Sequence, residues 1–279
     1  MDCLYINLKR DAQRREFLEK NFAECCNAPG WTLTRVPAVG INEIPNAIPR
    51  GIRREAVACN QSHKKAVGQS LDYSGHCLIL EDDACFGRSS CQVIDSIMSD
   101  LDEQSWDIVY TDAAVPDPFQ MVRLLLRRRK LYTGSTAIKR FELLDASWVK
   151  GFAGVSAYIV NKHFKHDLLK HVDQPTATYV AYDVYLRRLI YAGTIRAKLI
   201  FPFATSLSSL ADQSTVQPVD KDSYTALIWN SYRRLVWMER DIESAMQQLE
   251  AIPTAYYDPE SAAIGKIMSA MLSLNYVSR

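Results

Sequence analysis

The segment Leu78-Ile79-Leu80-Glu81-Asp82-Asp83 constrains this chain more than any other, because three apolar residues run directly into three adjacent carboxylates. With His76 and Cys77 before it and Ala84-Cys85-Phe86 after, the apolar part is short, continuous and free of helical period. That is the pattern of a buried strand in an α/β sheet. Open sheets of this kind seat ligands beyond the carboxyl ends of their strands, where the acids fall. Three adjacent carboxylates repel one another and are costly to hold half-buried without a counter-charge. A hard divalent cation supplies one, since Mg²⁺-type ions take carboxylate oxygens together with substrate phosphates. A solvated acidic turn after a strand accounts for the same residues equally well, so the rest of the chain has to decide.

Length and charge narrow the field. At 279 residues the chain suits one large α/β domain, alone or with a helical appendage, and it can bury a substantial core. A formal net charge of +1 argues against a general nucleic-acid binder and confines any polyanion site to a local patch. No apolar run approaches the ~18 residues of a membrane span. Met1-Asp2-Cys3-Leu4 shows no basic region followed by an apolar one, so the expected location is cytoplasmic. Seven cysteines, an odd number without paired C-x-x-C spacing, are expected to be scattered, reduced core residues.

Taken in order, Cys3–Leu8 reads as the first strand, and Asp11 as the N-cap of a helix over Ala12–Glu24. Lys9, Arg10, Arg14 and Arg15 surround that helix start. They suit a diphosphate site at a helix N-terminus, but a solvated basic face on an amphipathic helix is the commoner reason for such a pattern. Trp31–Val39 reads as a second strand. The helix expected over Arg54–Leu71 puts Glu55, Cys59, Ser62, His63, Ala66 and Val67 on one stripe, turning His63 inward or toward a cleft rim. An inward histidine is more often a satisfied core residue than a functional one.

Further strands are expected at Trp106–Thr111, ending at Asp112, at 134–139, at the glycine-rich stretch Gly151–Val160, and at Ile195–Phe203. Between them, Phe119–Lys130 ends in Arg127, Arg128, Arg129 and Lys130. This suits a substrate loop, a contact with an anionic membrane, or a helix end whose cations complement its dipole. Asp183 falls in the first turn of another helix, where an acid commonly does no more than complement the dipole. From Tyr224 onward the pattern is helical, with Trp229, Leu235, Trp237, Ile242 and Met246 as anchors.

Four stretches occur in the order of a known family. They are Ile6-Asn7-Leu8-Lys9-Arg10 followed by Arg14-Arg15, Ala58-Cys59-Asn60-Gln61-Ser62-His63, Leu80-Glu81-Asp82-Asp83-Ala84-Cys85-Phe86, and Gly154-Val155-Ser156-Ala157-Tyr158-Ile159-Val160 with Asp183 beyond it. On these the chain resembles glycosyltransferase family 25, the lipooligosaccharide glycosyltransferases related to the collagen galactosyltransferases. Three departures stand out: Ala58 replaces a usual glycine, Val155 replaces a usual threonine, and the acidic cluster is not a literal D-x-D.

The resemblance implies an α/β fold of the GT-A type over residues 1–215, with a helical C-terminal extension over 216–279. It implies transfer of a hexose, galactose first and glucose next, from a UDP-sugar to a hydroxyl of a glycan acceptor. Asn7, Arg10, Arg14, Ser62, Glu81, Asp82 and Gly154 become expected donor contacts. Asp83 and Glu81 become the expected ligands of a divalent metal, Mn²⁺ or Mg²⁺. Asp183 is the expected catalytic base, with His63 second. Expected partners are the sugar nucleotide and a glycan or lipid-linked glycan, with peripheral membrane contact through the basic run and a dimer face at the C-terminal tryptophans also open. A nucleotidyltransferase and a non-catalytic glycan-binding protein are the competing readings. No glycine-rich G-x-x-x-x-G-K-[ST] loop supports a P-loop enzyme.

Overall fold

The computed structural model describes residues 1–48, 50–132, 141–154, 156–212 and 224–240. In chain order the elements are β1 (Asp2–Asn7), α1 (Ala12–Cys25), β2 (Thr32–Pro37), α2 (Arg54–Gln69), β3 (Cys77–Glu81), β4 (Ala84–Phe86), α3 (Ser90–Asp100) and β5 (Ile108–Tyr110). There follow α4 (Pro118–Tyr132), β6 (Glu142–Asp145), β7 (Ala157–Val160), α5 (Lys165–Val172), α6 (Tyr182–Tyr191), β8 (Ala197–Phe201), β9 (Thr205–Leu207) and α7 (Tyr224–Leu235).

Seven of the strands form one sheet in the order β2-β1-β3-β7-β5-β8-β6, and β4 pairs with β9 beside it. The β2-β1-β3 block is parallel, as is the β5-β8 pair, while β7 and β6 run antiparallel to their neighbours. The expected α/β class is therefore the observed one. β3 is buried on both faces, with Leu78, Ile79 and Leu80 all 0% exposed. Strand alternation sends Leu4 and Ile79 into one core and Tyr5, Leu78 and Leu80 into the other. Each such side chain contributes about 1.5–3 kcal/mol of burial. This is why the strand reads as a continuous apolar run.

Helices cover both faces. Leu18 and Phe22 of α1 and Cys91 and Ile94 of α3 pack on one. Ala66 and Val67 of α2, Leu124 of α4, Leu168 of α5, Leu186 of α6 and Tyr232 of α7 pack on the other.

Several expectations change. Cys26 and Cys91 are joined in a disulfide, which corrects the reading of all seven cysteines as reduced. The end of α1 and the start of α3 lie together there, 65 residues apart in sequence and invisible to spacing rules. Cys3, Cys25, Cys59, Cys77 and Cys85 are free. The polar stretch after Phe203 contains a buried strand, β9, and β6 is a strand where none was expected.

The expected domain boundary at residue 216, the strand at 134–139, and Ile242 and Met246 lie outside the described residues. Of the expected extension, α7 and the segment after it pack into the body. Tyr232, Leu235 and Val236 join the main core, and Phe203 exchanges backbone hydrogen bonds with Val236 and Met238. No helix among the described residues is long and apolar enough to cross a membrane.

Candidate active site

Register brings the motifs together. Ile6 of β1 lies opposite Glu81 of β3, so Asn7 and Asp82 emerge side by side at the carboxyl edge of the sheet. β7 begins at that same edge, because Leu80 pairs with Ala157 and the Glu81 amide donates to the Ser156 carbonyl at 2.8 Å. β5 runs antiparallel to β7 and ends there too, followed by Thr111 and Asp112. A cleft of about 630 Å³, its open mouth included, lies over this edge, lined by Arg10, Arg14, Cys59, His63, Glu81 and Asp82 among others.

Arg14, in the first turn of α1, answers the acidic cluster. Its Nη1 lies 2.9 Å from Asp82 and its Nη2 2.7 Å from Asp83. Asn7 is 1% exposed and fully committed. Its Nδ2 donates to Asp82 Oδ2 at 2.7 Å and to the Asp11 carbonyl at 3.0 Å, while Arg35 Nε donates to its Oδ1 at 3.0 Å. Asn7 therefore orients Asp82 from below the cleft.

The carboxylates remain under-compensated. Burial pushes the Asp82 carboxyl up to about 7, with Arg14 opposing and Asp83 adding to the rise. Burial and the neighbouring Glu81 charge push Asp83 up to about 6 against Arg14. Burial alone would raise Glu81 as well, but its hydrogen bond and charge contact with His63 outweigh that and hold it below the usual carboxylate value. Asp83 Oδ1 is buried without a hydrogen-bond partner among the described residues. Glu81 and Asp82 line the cleft and Asp83 follows them directly, and crowded, raised carboxylates with an orphaned oxygen are the electrostatic profile of a cation seat.

Behind them stands a histidine fixed on three sides. His63 is 1% exposed. Its Nε2 lies 3.1 Å from Glu81 Oε1 and its Nδ1 3.2 Å from the Tyr158 hydroxyl, and its ring stacks on Tyr182 at 4.2 Å and 5°. Asp183, at the start of α6, accepts from the Gly154 amide at 3.0 Å and from Val184 at 2.8 Å. Gly154 has φ +70°, and a Cβ there would sit 3.0 Å from Arg233 Nη1. Arg233 comes from α7, pairs with Asp112 and bonds Ser156 Oγ, which places a buried cation beside the same edge.

Residues 1–186 match the model of glycosyltransferase family 25, described as an LPS biosynthesis protein. The chain belongs to glycosyltransferase family 25. Among solved structures, the galactosyltransferase LgtC, in complex with donor and acceptor sugar analogs, aligns at 13% identity and a TM-score of 0.37. The alignment covers 87% of this chain and 98% of that one. No curated protein matches it.

In this family 25 chain the structure gathers most of the expected residues. Arg10, Arg14, Ser62, His63, Glu81 and Asp82 line one cleft, and Asp183 meets Gly154 beside it. Arg10 is the loosely held cation of the group, 63% exposed and 3.8 Å from Asp11. The Ser62 hydroxyl donates to Ala58 and accepts from the Val39 amide, so it shapes the cleft wall.

The basic run at the end of α4 is partly spoken for. Arg127 pairs with Glu142, and Arg128, 1% exposed, donates to the carbonyls of Trp237 and Arg240. Arg35, Asp112, Ser156 and Arg233 stand at this edge without being among the site residues expected from the sequence. Asp112 closed a recognisable strand, but nothing in the sequence marks Arg233.

Proposed function

We propose that this chain transfers a hexose, galactose or else glucose, from a UDP-sugar to a hydroxyl of a glycan acceptor such as lipooligosaccharide, with inversion at the anomeric carbon. The observation that carries the reading is the meeting of the family's motif residues at one sheet edge, with cations on the cleft rim and carboxylates at its floor. A cytoplasmic setting, beside a membrane bearing a lipid-linked acceptor, belongs to the same proposal.

The leaving group is a nucleoside diphosphate, so its oxygens must be neutralised as the sugar departs. Arg10 has room to donate charge-assisted hydrogen bonds to it, and Arg14 fixes the carboxylates below. Asp83, through its unpartnered Oδ1, and Glu81 fit a divalent ion such as Mn²⁺ or Mg²⁺, which when bound supplies Lewis-acid neutralisation of phosphate oxygens. The acceptor oxygen attacks the anomeric carbon, its proton passes to Asp183, and the bond to the β-phosphate breaks with its electron pair leaving on UDP. Asp183 suits this role because two backbone amides hold its carboxylate in place. His63 is second, its Nε2 being engaged by Glu81. The test is UDP release from UDP-galactose and UDP-glucose with and without glycan acceptors. Acceptor-dependent release supports the reading, whereas consumption of a nucleoside triphosphate with pyrophosphate release replaces it with nucleotidyl transfer.

A further inference from the structure

The proposed reaction leaves Cys59 without a task, yet this thiol lies in the cleft beside two other metal-ligating groups. Cys59 and His63, four residues apart on α2, face the same way, and Glu81 meets them from the end of β3. One ligand atom from each lies within 4.8 Å of the others. Glu81 Oε1 is 3.1 Å from His63 Nε2 and 3.9 Å from Cys59 Sγ. Bond lengths around tetrahedral zinc imply ligand-to-ligand edges of about 3.4–3.6 Å, and the two edges at Glu81 lie on either side of that range.

We propose that Cys59, His63 and Glu81 form a binding site for a borderline transition-metal ion, Zn²⁺ or Co²⁺, with its remaining coordination position open to the cleft. The donor set decides the ion: thiolate and imidazole favour zinc-like metals, whereas the carboxylates of Asp83 and Glu81 alone suit Mg²⁺ or Mn²⁺, so the two ions would compete for Glu81. Support behind the ligands follows the usual pattern of a histidine metal site, in which the ring nitrogen not on the metal is held by a hydrogen bond. Here Nδ1 faces the Tyr158 hydroxyl, itself 3.0 Å from the Tyr182 hydroxyl, and the Tyr182 ring lies flat against the imidazole. That arrangement presents Nε2 to Glu81 and Cys59. Three protein ligands and an open position are the composition of zinc sites that bind a further molecule. The site needs neither sugar donor nor acceptor, so it and the transfer reading can fail separately.

The test is Zn²⁺ binding to the full chain after dialysis against chelator, by competition with a chromophoric chelator, with Co²⁺ absorption as the spectroscopic readout. The wild-type chain should bind one Zn²⁺ with sub-micromolar affinity, and Co²⁺ should show a thiolate-to-metal charge-transfer band. Cys59→Ala and His63→Ala should each weaken Zn²⁺ by more than the roughly 10–100-fold typical of losing a supporting group, and Tyr158→Phe by about that amount. Cys59→Ser, the milder change, should keep the fold and lose the charge-transfer band. Absence of Zn²⁺ binding, a Co²⁺ spectrum without the thiolate band, or equal affinity in Cys59→Ser and wild type would each overturn the site and leave a hydrogen-bonded trio.

Discussion

Replacing Arg14 with methionine removes the cation that bridges Asp82 and Asp83 while keeping much of the stem's volume. The three side chains are 13%, 9% and 14% exposed, so solvent does little to screen the charges left behind. Removing one partner of a buried ion pair costs about 3–5 kcal/mol. Coulomb attraction at about 4 Å and an effective dielectric near 20 gives about 4 kcal/mol per pair, the same range. Uptake of protons by the carboxylates relieves part of this, and about 3 kcal/mol should remain at alkaline pH. At about 2–4 °C per kcal/mol for a chain of this size, Tm should fall by about 6–12 °C.

The pH dependence has a definite sign. Asp82 and Asp83 already stand at about 7 and about 6 with Arg14 present, against 3.8 for an ordinary aspartate, and they rise further without it. A carboxyl raised in the folded state destabilises fully above its folded pKa and ceases to do so as pH falls toward the unfolded value. The deficit of the variant should therefore be largest near about pH 8.5 and shrink by about pH 5.5. Calorimetry of both proteins in chelator measures it. Arg14→Lys should recover part of the loss, a point charge being unable to fork across two carboxylates. A Tm change below about 2 °C at alkaline pH, or a deficit that grows on acidification, would refute the reasoning.

Other perturbations separate the remaining roles. Asp183→Asn should lower turnover by roughly 10²–10⁴ with donor affinity retained, read from kcat and a donor titration, and near-normal turnover would remove the base assignment. Asp83→Ala should abolish metal-dependent donor binding, and unchanged donor affinity would take it out of the metal seat. Gly154→Ala forces a left-handed backbone on alanine and crowds Arg233, so urea denaturation should show a loss of about 1–3 kcal/mol. Asp112→Asn strands the buried Arg233 charge and should cost about 3–5 kcal/mol, whereas a neutral outcome would mean that the pair does not hold α7 in place.

Local chemistry in the sequence exposed most of this site. An apolar run ending in acids marked β3 and its ligand edge, and the stripe on α2 turned His63 toward that edge. What the sequence hid was pairing across the sheet. The family resemblance makes Asn7 an expected donor contact, and the β1–β3 register adds what the sequence does not show, that it is buried against Asp82 and orients that carboxylate. The stripe on α2 puts Cys59 beside His63, but only the folded sheet brings Glu81 of β3 to both. Cys26 and Cys91 gave no spacing signal because α1 and α3 come together only in the folded molecule. Arg233 lies 121 residues from its partner Asp112, in a segment without motif, and no local rule reaches across that separation.

The central claim is a cleft built for a sugar nucleotide, and thermal stabilisation by a panel of UDP-sugars and nucleoside triphosphates, in Mn²⁺, Mg²⁺ or chelator, tests it most directly. Ligand that binds the native state must raise apparent stability by mass action, so no acceptor is needed. The account predicts a rise in Tm with one UDP-hexose that disappears in chelator and is weakened in Arg10→Ala. Silence toward every sugar nucleotide, or a response to a triphosphate alone, would contradict it.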